Sequence, residues 1–324
     1  MVENSGYSIA GFSVDHQIYE SDYSQVYRAL SSAGQPIILK VLREDCLLPV
    51  RVAEYRREYR ITQLLPFSGV AGVQELRMNL HRPALVIEDF GGDSLDILGL
   101  AGNLSLEVFL PLAISLARTI AQIHGRQVVH KDINPANIVF NPETNEVKLI
   151  DFGLANVLPQ EVTNFVAPNL LEGTLPYLSP EQTGRMNRPV DYRSDFYALG
   201  VTFYELLTGQ LPFQASDALG WVHHHVASQP VHPSTVKADV PEAIAQIILK
   251  LMAKTAEGRY QSAVGLQADL EHCWAQWQAR QQITVFPLAQ RDRLSTFQLS
   301  QELYGREKDI ALLSQVNAQE STTS

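Results

Sequence analysis

The chain has 324 residues, 45% hydrophobic and 19% charged, with a formal net charge of −10. That length holds one large domain or two medium ones with an ample core. The acidic balance argues against nucleic acid or an anionic membrane as the main partner, because neither attracts a net-negative surface.

In chain order, the first third reads as strands. Residues 25–29 and 36–41 are β-favouring runs joined by the turn-rich 31–35, which predicts a hairpin. Over 50–65 the period becomes helical, in VRVAEYRREYRITQLL. Residues 83–90, PALVIEDF, return to strand, and Gly91-Gly92 breaks it. A long helix follows over 105–127. Its apolar stretch at 108–117 holds Pro111 and is too short to span a bilayer, so it reads as a buried helix. Residues 137–140 and 147–150 make a second hairpin, and helices recur at 195–207, 241–252 and 263–280. After Arg280 the chain is polar and mixed, with a short helical pattern at 303–313. The two cysteines, Cys46 and Cys273, form no disulfide or metal-ligand pattern, and the N-terminus has no signal-peptide pattern. Both features suit a reducing cytoplasm. The expected architecture is α+β and two-lobed. A small β-rich lobe spans 9–90, a larger helical lobe 91–280 and a tail 281–324, and the cleft between the lobes is the default place for a site.

The chemistry concentrates in VVHKDINPANIVF, residues 128–140. Either Asp132 or Asn137 alone is most simply a loop residue satisfying nearby backbone. Together they form H-x-D-x-x-x-x-N, and Asp151-Phe152-Gly153 begins fourteen residues after Asn137. Two carboxylates and an amide so spaced suit Mg²⁺, which takes a few oxygen ligands plus nucleotide phosphates.

Over residues 9–275 these motifs resemble the eukaryotic-type (Hanks-type) serine/threonine protein kinases. The resemblance implies a two-lobed kinase fold and Mg²⁺-dependent transfer of the γ-phosphoryl group of ATP to a protein hydroxyl. By it, Asp132 accepts the proton of the acceptor hydroxyl, while Asn137 and Asp151 hold the metal. Lys40, at the end of Ile37-Ile38-Leu39-Lys40, grips the α- and β-phosphates. Its helix partner is Glu58, with Glu54 one turn earlier as the competitor. Asn134 stands where the family has a lysine that steadies the γ-phosphate, and an asparagine there offers a neutral amide donor. In the phosphate-covering loop, which ends at Val26, Tyr19, Ser21 and Ser24 replace three glycines. The two serines offer hydroxyl donors. Ile87 takes the gatekeeper place, the backbone of Glu88 and Phe90 meets adenine, and Asp93 reaches the ribose.

GTLPYLSPE, residues 173–181, resembles the end of the family's activation segment and favours a protein acceptor. Glu181 is expected to pair with Arg259, Asp195 to hold the catalytic loop, and Thr174 to support it. Thr163 is the expected phosphosite, with Lys131 as a receiver of its phosphate. A nucleotide-binding scaffold with little transfer and a small-molecule phosphotransferase remain open alternatives. His223-His224-His225 reads as an ordinary helical run, because consecutive residues share no helical face. Trp274 and Trp277 read as packing residues. The tail pattern at 303–313 resembles the start of an AAA-like ATPase domain, which in bacterial multidomain sensor proteins follows such a kinase. A downstream sensor or ATPase module is therefore an expected partner, although G-x-x-x-x-G-K-[ST] occurs nowhere in the chain.

Overall fold

The strand runs of the first third pair into one antiparallel sheet. The computed structural model describes residues 8–9, 11–78, 82–158, 173–186 and 188–292. Residues 1–292 form one compact unit and 293–324 a second, so the expected helical pattern at 303–313 lies outside the described residues. The sheet contains β1 (Ser8–Ile9), β2 (Phe12–Glu20), β3 (Ser24–Leu30), β4 (Pro36–Leu42), β5 (Val73–Arg77) and β6 (Ala84–Glu88), in the order β1-β2-β3-β4-β6-β5. Ile37, Leu39 and Val41 of β4 alternate inward and are almost fully buried. Ile38 and Lys40 therefore take the opposite face. β2 and β5 escape a reading by alternation, because FSVDHQIYE and VQELR are polar and largely exposed.

Helix α1 (Pro49–Gln63) crosses this sheet. It has no broad apolar stripe, and its buried residues are Tyr55, Glu58, Ile61 and Thr62. These recur at helical spacing, so a carboxylate is carried inward with the apolar face.

The second lobe is built on α2 (Leu106–Gly125), α3 (Arg193–Thr208), α6 (Glu242–Leu251) and α7 (Ala263–Arg280), with α4 (Ala218–Ala227) and α5 (Pro233–Val236) at its side. By length and composition α2 is apolar enough to cross a bilayer, yet Phe109, Leu110, Ala113, Leu116, Ala117, Ile120 and Ile123 lie in the core of this lobe. Pro111 sits inside the helix and does not end it. Short strands line the cleft side: β7 (Asp93–Ser94), β9 (Ile138–Asn141) and β10 (Glu146–Leu149) form one small sheet, and β8 (Val128–Val129) pairs with β11 (Asn156–Val157).

The compact unit runs past Arg280 to Asp292. Asp292 accepts from the Gln261 N–H at 2.7 Å and the Ser262 hydroxyl at 2.8 Å, and the Ala289 N–H donates to Asp269 at 2.8 Å. Polar residues that read as tail thus fold back to satisfy the loop before α7.

Candidate active site

The cleft face of the sheet is set by register. Val26 stands opposite Lys40 on the β3–β4 pair, and Arg28 opposite Ile38. On the β4–β6 pair, Lys40 faces Leu85 and Ile38 faces Ile87. The Lys40 ammonium donates to Glu58 at 2.8 Å and lies 2.9 Å from the Asp151 carboxylate. Glu54 pairs instead with Arg51. Burial works against the charge on Lys40, but Asp151 and Glu58 overcome it and raise its pKa. Burial pushes Glu58 up to about 7 against the pull of Lys40, while Lys40 holds Asp151 below its ordinary value despite burial. The lysine therefore stays charged between two acidic side chains, of which Asp151 is the one held ionised.

Asp151 adopts φ 61°, a left-handed conformation that aspartate tolerates through local hydrogen bonding. Its Oδ1 accepts from the Gly153 N–H at 3.2 Å. Phe152 is fully buried against the His130 ring, which anchors the turn in the helical lobe.

The loop carrying Asp132 is held from below by Asp195, in the first turn of α3. One Asp195 oxygen accepts from the His130 N–H at 3.0 Å and the other from the Lys131 N–H at 2.8 Å, with the His124 ring at 2.8 Å. Burial disfavours this carboxylate, and His124 with the loop N–H groups more than offsets it, so its pKa is lowered. Lys131 adopts φ 71°, which turns the chain at the residue before Asp132.

Asp132 is fixed at both oxygens. Oδ1 accepts from the Thr174 N–H at 2.9 Å and Oδ2 from the Asn137 amide at 3.0 Å. The Asn137 amide also donates to the Asp132 carbonyl at 2.8 Å, which leaves its side-chain oxygen as the atom able to meet a cation. One amide oxygen and the Asp151 carboxylate make a sparse ligand set. No cluster of three or more His, Cys, Asp or Glu suited to a metal occurs among the described residues. Such a set fits Mg²⁺, which keeps waters and takes nucleotide phosphates, better than a metal needing a protein cage.

Several expected contacts fall elsewhere. The Asn134 amide donates to the Asp132 carbonyl at 3.1 Å and the Thr174 hydroxyl at 3.2 Å, while its oxygen caps the short turn Pro135–Asn137 through the Ala136 N–H. Both donor hydrogens are engaged and the residue is buried, so Asn134 braces the loop and does not donate to a transferred phosphate. The serine hydroxyls are likewise turned inward. Ser21 Oγ accepts from the N–H groups of Tyr23 and Ser24 at 3.3 and 3.0 Å, and Ser24 Oγ meets the Tyr55 hydroxyl at 2.9 Å. The turn thereby satisfies its own N–H groups, in place of the open donors that a glycine loop presents.

The hinge is cross-braced. The Glu88 carboxylate accepts from the Gly72 N–H at 2.8 Å and Lys148 at 2.7 Å, and the Glu88 N–H donates to the Gly72 carbonyl at 3.0 Å. The Phe90 carbonyl accepts from Asn141 at 2.8 Å. Gly91 takes φ 78°, and a Cβ at Gly92 would lie 2.9 Å from the Phe140 carbonyl, so both glycines answer a local need. Asp93 is bonded to Arg28.

Residues 173–186 form the platform beside Asp132. Glu181 and Arg259 make a bidentate ion pair at 2.6 and 2.8 Å, both fully buried, and Ser194 donates to the same carboxylate. The Gln182 amide donates to the Lys131 carbonyl at 2.8 Å. Thr163, the expected phosphosite, lies outside the described residues. Sequence reasoning missed Tyr55, Arg28, Lys148 and Gln182. Their partners are distant in the chain, and only the alternation that puts Arg28 on the face of Val26 was available as a signal.

The model of the family described as "Protein kinase domain" matches residues 12–275, most of the chain. This chain belongs to that family. The kinase domain is 33% identical over 248 residues to a probable serine/threonine-protein kinase of Corynebacterium efficiens, covering 74% of this chain and 37% of the relative. It is 32% identical over 240 residues to serine/threonine-protein kinase PknB of Mycolicibacterium smegmatis, covering 72% and 38%. A third relative, hybrid signal transduction histidine kinase G of Dictyostelium discoideum, is 31% identical over 294 residues, covering 64% of this chain and 9% of that protein. The chain thus spans little more than a third of the length of the first two relatives and a small part of the third.

Proposed function

We propose that this domain is a serine/threonine protein kinase that transfers the γ-phosphoryl group of ATP to a protein hydroxyl. The observation that carries the reading is the convergence of five segments of the chain on one cleft: Lys40 between Glu58 and Asp151, and Asp132 locked by Asn137 and Thr174. Lys40 binds the α- and β-phosphates, with Glu58 keeping its chain aimed. Asp132 orients the acceptor hydroxyl and takes its proton as the oxygen attacks the γ-phosphorus and the β–γ bridging oxygen leaves. Asn137 and Asp151 are the residues to hold Mg²⁺. When bound, the ion neutralises charge on the phosphates. Val26 and Ile38 roof the base, the Glu88 and Phe90 backbone meets its edge, and Asp93 meets the ribose.

The ordered platform at 173–186 supports a protein acceptor over a small molecule. Two free cysteines and the need for ATP support a cytoplasmic setting. The similarity to a far longer hybrid histidine kinase supports a role as the kinase module of a larger signalling protein.

Labelled ATP with Mg²⁺ and generic protein acceptors tests the reading. Wild type transfers label to serine or threonine, and Asp132→Ala loses it by about a thousandfold or more. Nucleotide binding without any Asp132-dependent transfer would replace this reading with a scaffold.

A further inference from the structure

Arg28 lies on the cleft face of β3, two residues beyond Val26, and its guanidinium reaches the hinge end of the cleft. One terminal nitrogen donates to the Gly92 carbonyl at 2.9 Å and to Asp93 Oδ1 at 3.2 Å. Its Nε lies 2.9 Å from Asp89 Oδ2, near enough for an ion pair but too oblique for a hydrogen bond. No step of phosphoryl transfer uses this cation.

Bracing of the hinge accounts for its contacts with Gly92 and Asp89 but not for the one with Asp93. Asp89 already accepts from the Gly91 N–H at 2.8 Å, Phe90 is held by Asn141, and Glu88 by Lys148. Of the two carboxylates that Arg28 pairs with, Asp89 is 6% exposed and closed in, so the one a ligand can reach is Asp93. Its side chain is 34% exposed, and among the described residues its side-chain bonds are made at Oδ1 and to Arg28. A carboxylate held at one oxygen and open at the other is a preorganised acceptor for a hydroxyl.

We propose that Arg28 is a positioning residue for nucleoside recognition: it fixes the Asp93 carboxylate at the cleft mouth so that Oδ2 accepts from a ribose hydroxyl. It also keeps that carboxylate paired when a nucleotide covers it and excludes water, a state that is costly for a lone charge. The inference rests on the ATP-binding reading above and deepens it.

The test compares Mg·ATP with Mg·2′-deoxy-ATP, by calorimetric Kd and by KM and kcat, in wild type, Arg28→Ala, Arg28→Lys and Asp93→Asn. Wild type is expected to favour ATP by about tenfold, the worth of one charge-assisted hydrogen bond. Arg28→Ala is expected to bring that preference below about twofold and to raise KM for ATP more than it lowers kcat, as Asp93→Asn does, while Arg28→Lys recovers part. A merely structural Arg28 would weaken both nucleotides alike and leave the preference intact, which would overturn the proposal. Should Arg28→Ala not fold, Arg28→Lys decides: an undiminished preference with Asp93→Asn reduced overturns it, and an intermediate one supports it. A wild type that does not discriminate also overturns it, and Asp132-dependent labelling then still stands. Loss of that labelling would remove the underlying reading instead.

Discussion

At the scale of single residues, the kinase cleft departs from its family's pattern at two places, and in both the replacement side chain is consumed locally. Asn134 is too short to act as a lysine does, and its amide bonds the loop and Thr174 instead. Asn134→Ala and Thr174→Ala are each expected to lower kcat about tenfold by loosening Asp132. The double variant should be little worse than either single one, because both remove one shared contact. A double-mutant cycle on kcat measures this, and full additivity would count against the brace. The spacing of Asp132, Asn137 and Asp151 is legible in the sequence without tertiary information, whereas Lys40 is singled out only by resemblance to the family. The direction in which Asn134, Ser21 and Ser24 bond is not legible there, since each partner is chosen by distance in space.

At the scale of elements, helix α1 is tied to the phosphate-side turn as well as to Lys40. Tyr55 meets Ser24, and the Arg51 guanidinium lies 3.5 Å above the Tyr23 ring. Tyr55→Phe is expected to free the turn and raise KM for ATP, and, because it leaves the buried Ser24 hydroxyl without this partner, to cost about 1 kcal/mol of stability in urea unfolding. Helix α4 makes a comparable tie in the other lobe. His225 is buried, its ring contacts the Leu175 carbonyl at 2.8 Å and the Tyr197 hydroxyl at 3.1 Å, and burial lowers its pKa to about 4. In the unfolded chain the same ring titrates near 6.5, so the unfolded state binds the extra proton between those values. This contribution to stability is therefore full above pH 6.5 and lost as pH falls toward 4, by up to about 3 kcal/mol. Urea unfolding across that range should show a smaller pH slope in His225→Gln than in wild type. The histidine triplet reads on the sequence as three equal residues. Packing alone separates His225 from His224, which stacks on Phe213.

At the scale of the whole molecule, a buried ion pair joins the His225 contact in pinning the acceptor platform to the helical lobe. Glu181 and Arg259 are 78 residues apart, and Arg259 also donates to the carbonyls of Arg193 and Ala253. Burial alone would raise the Glu181 pKa, yet Arg259 holds it below the ordinary carboxylate value. Glu181→Gln or Arg259→Leu leaves one charge buried without its partner, so each is expected to cost about 3–5 kcal/mol in chemical denaturation. Replacing both together should cost less than the sum. Polar residues between Arg280 and Asp292 also belong to this lobe, because they supply the acceptor that the loop at Gln261 and Ser262 needs.

The sequence by itself determined the strands and helices with clear periodicity and the motif that joins Asp132, Asn137 and Asp151, and it left β2, β5 and the bounds of α4 unread. Periodicity and motif spacing are local properties, and burial acts on them directly. Tertiary structure alone decided which polar groups spend their bonds inside the protein and which are left for a ligand. VVHKDINPAN supplies Asp132, Asn134 and Asn137 together. Only the folded arrangement of Thr174, Asp195 and Asp132 turns one amide into a brace and engages the other through its nitrogen, because a short polar side chain bonds whatever the fold brings within reach.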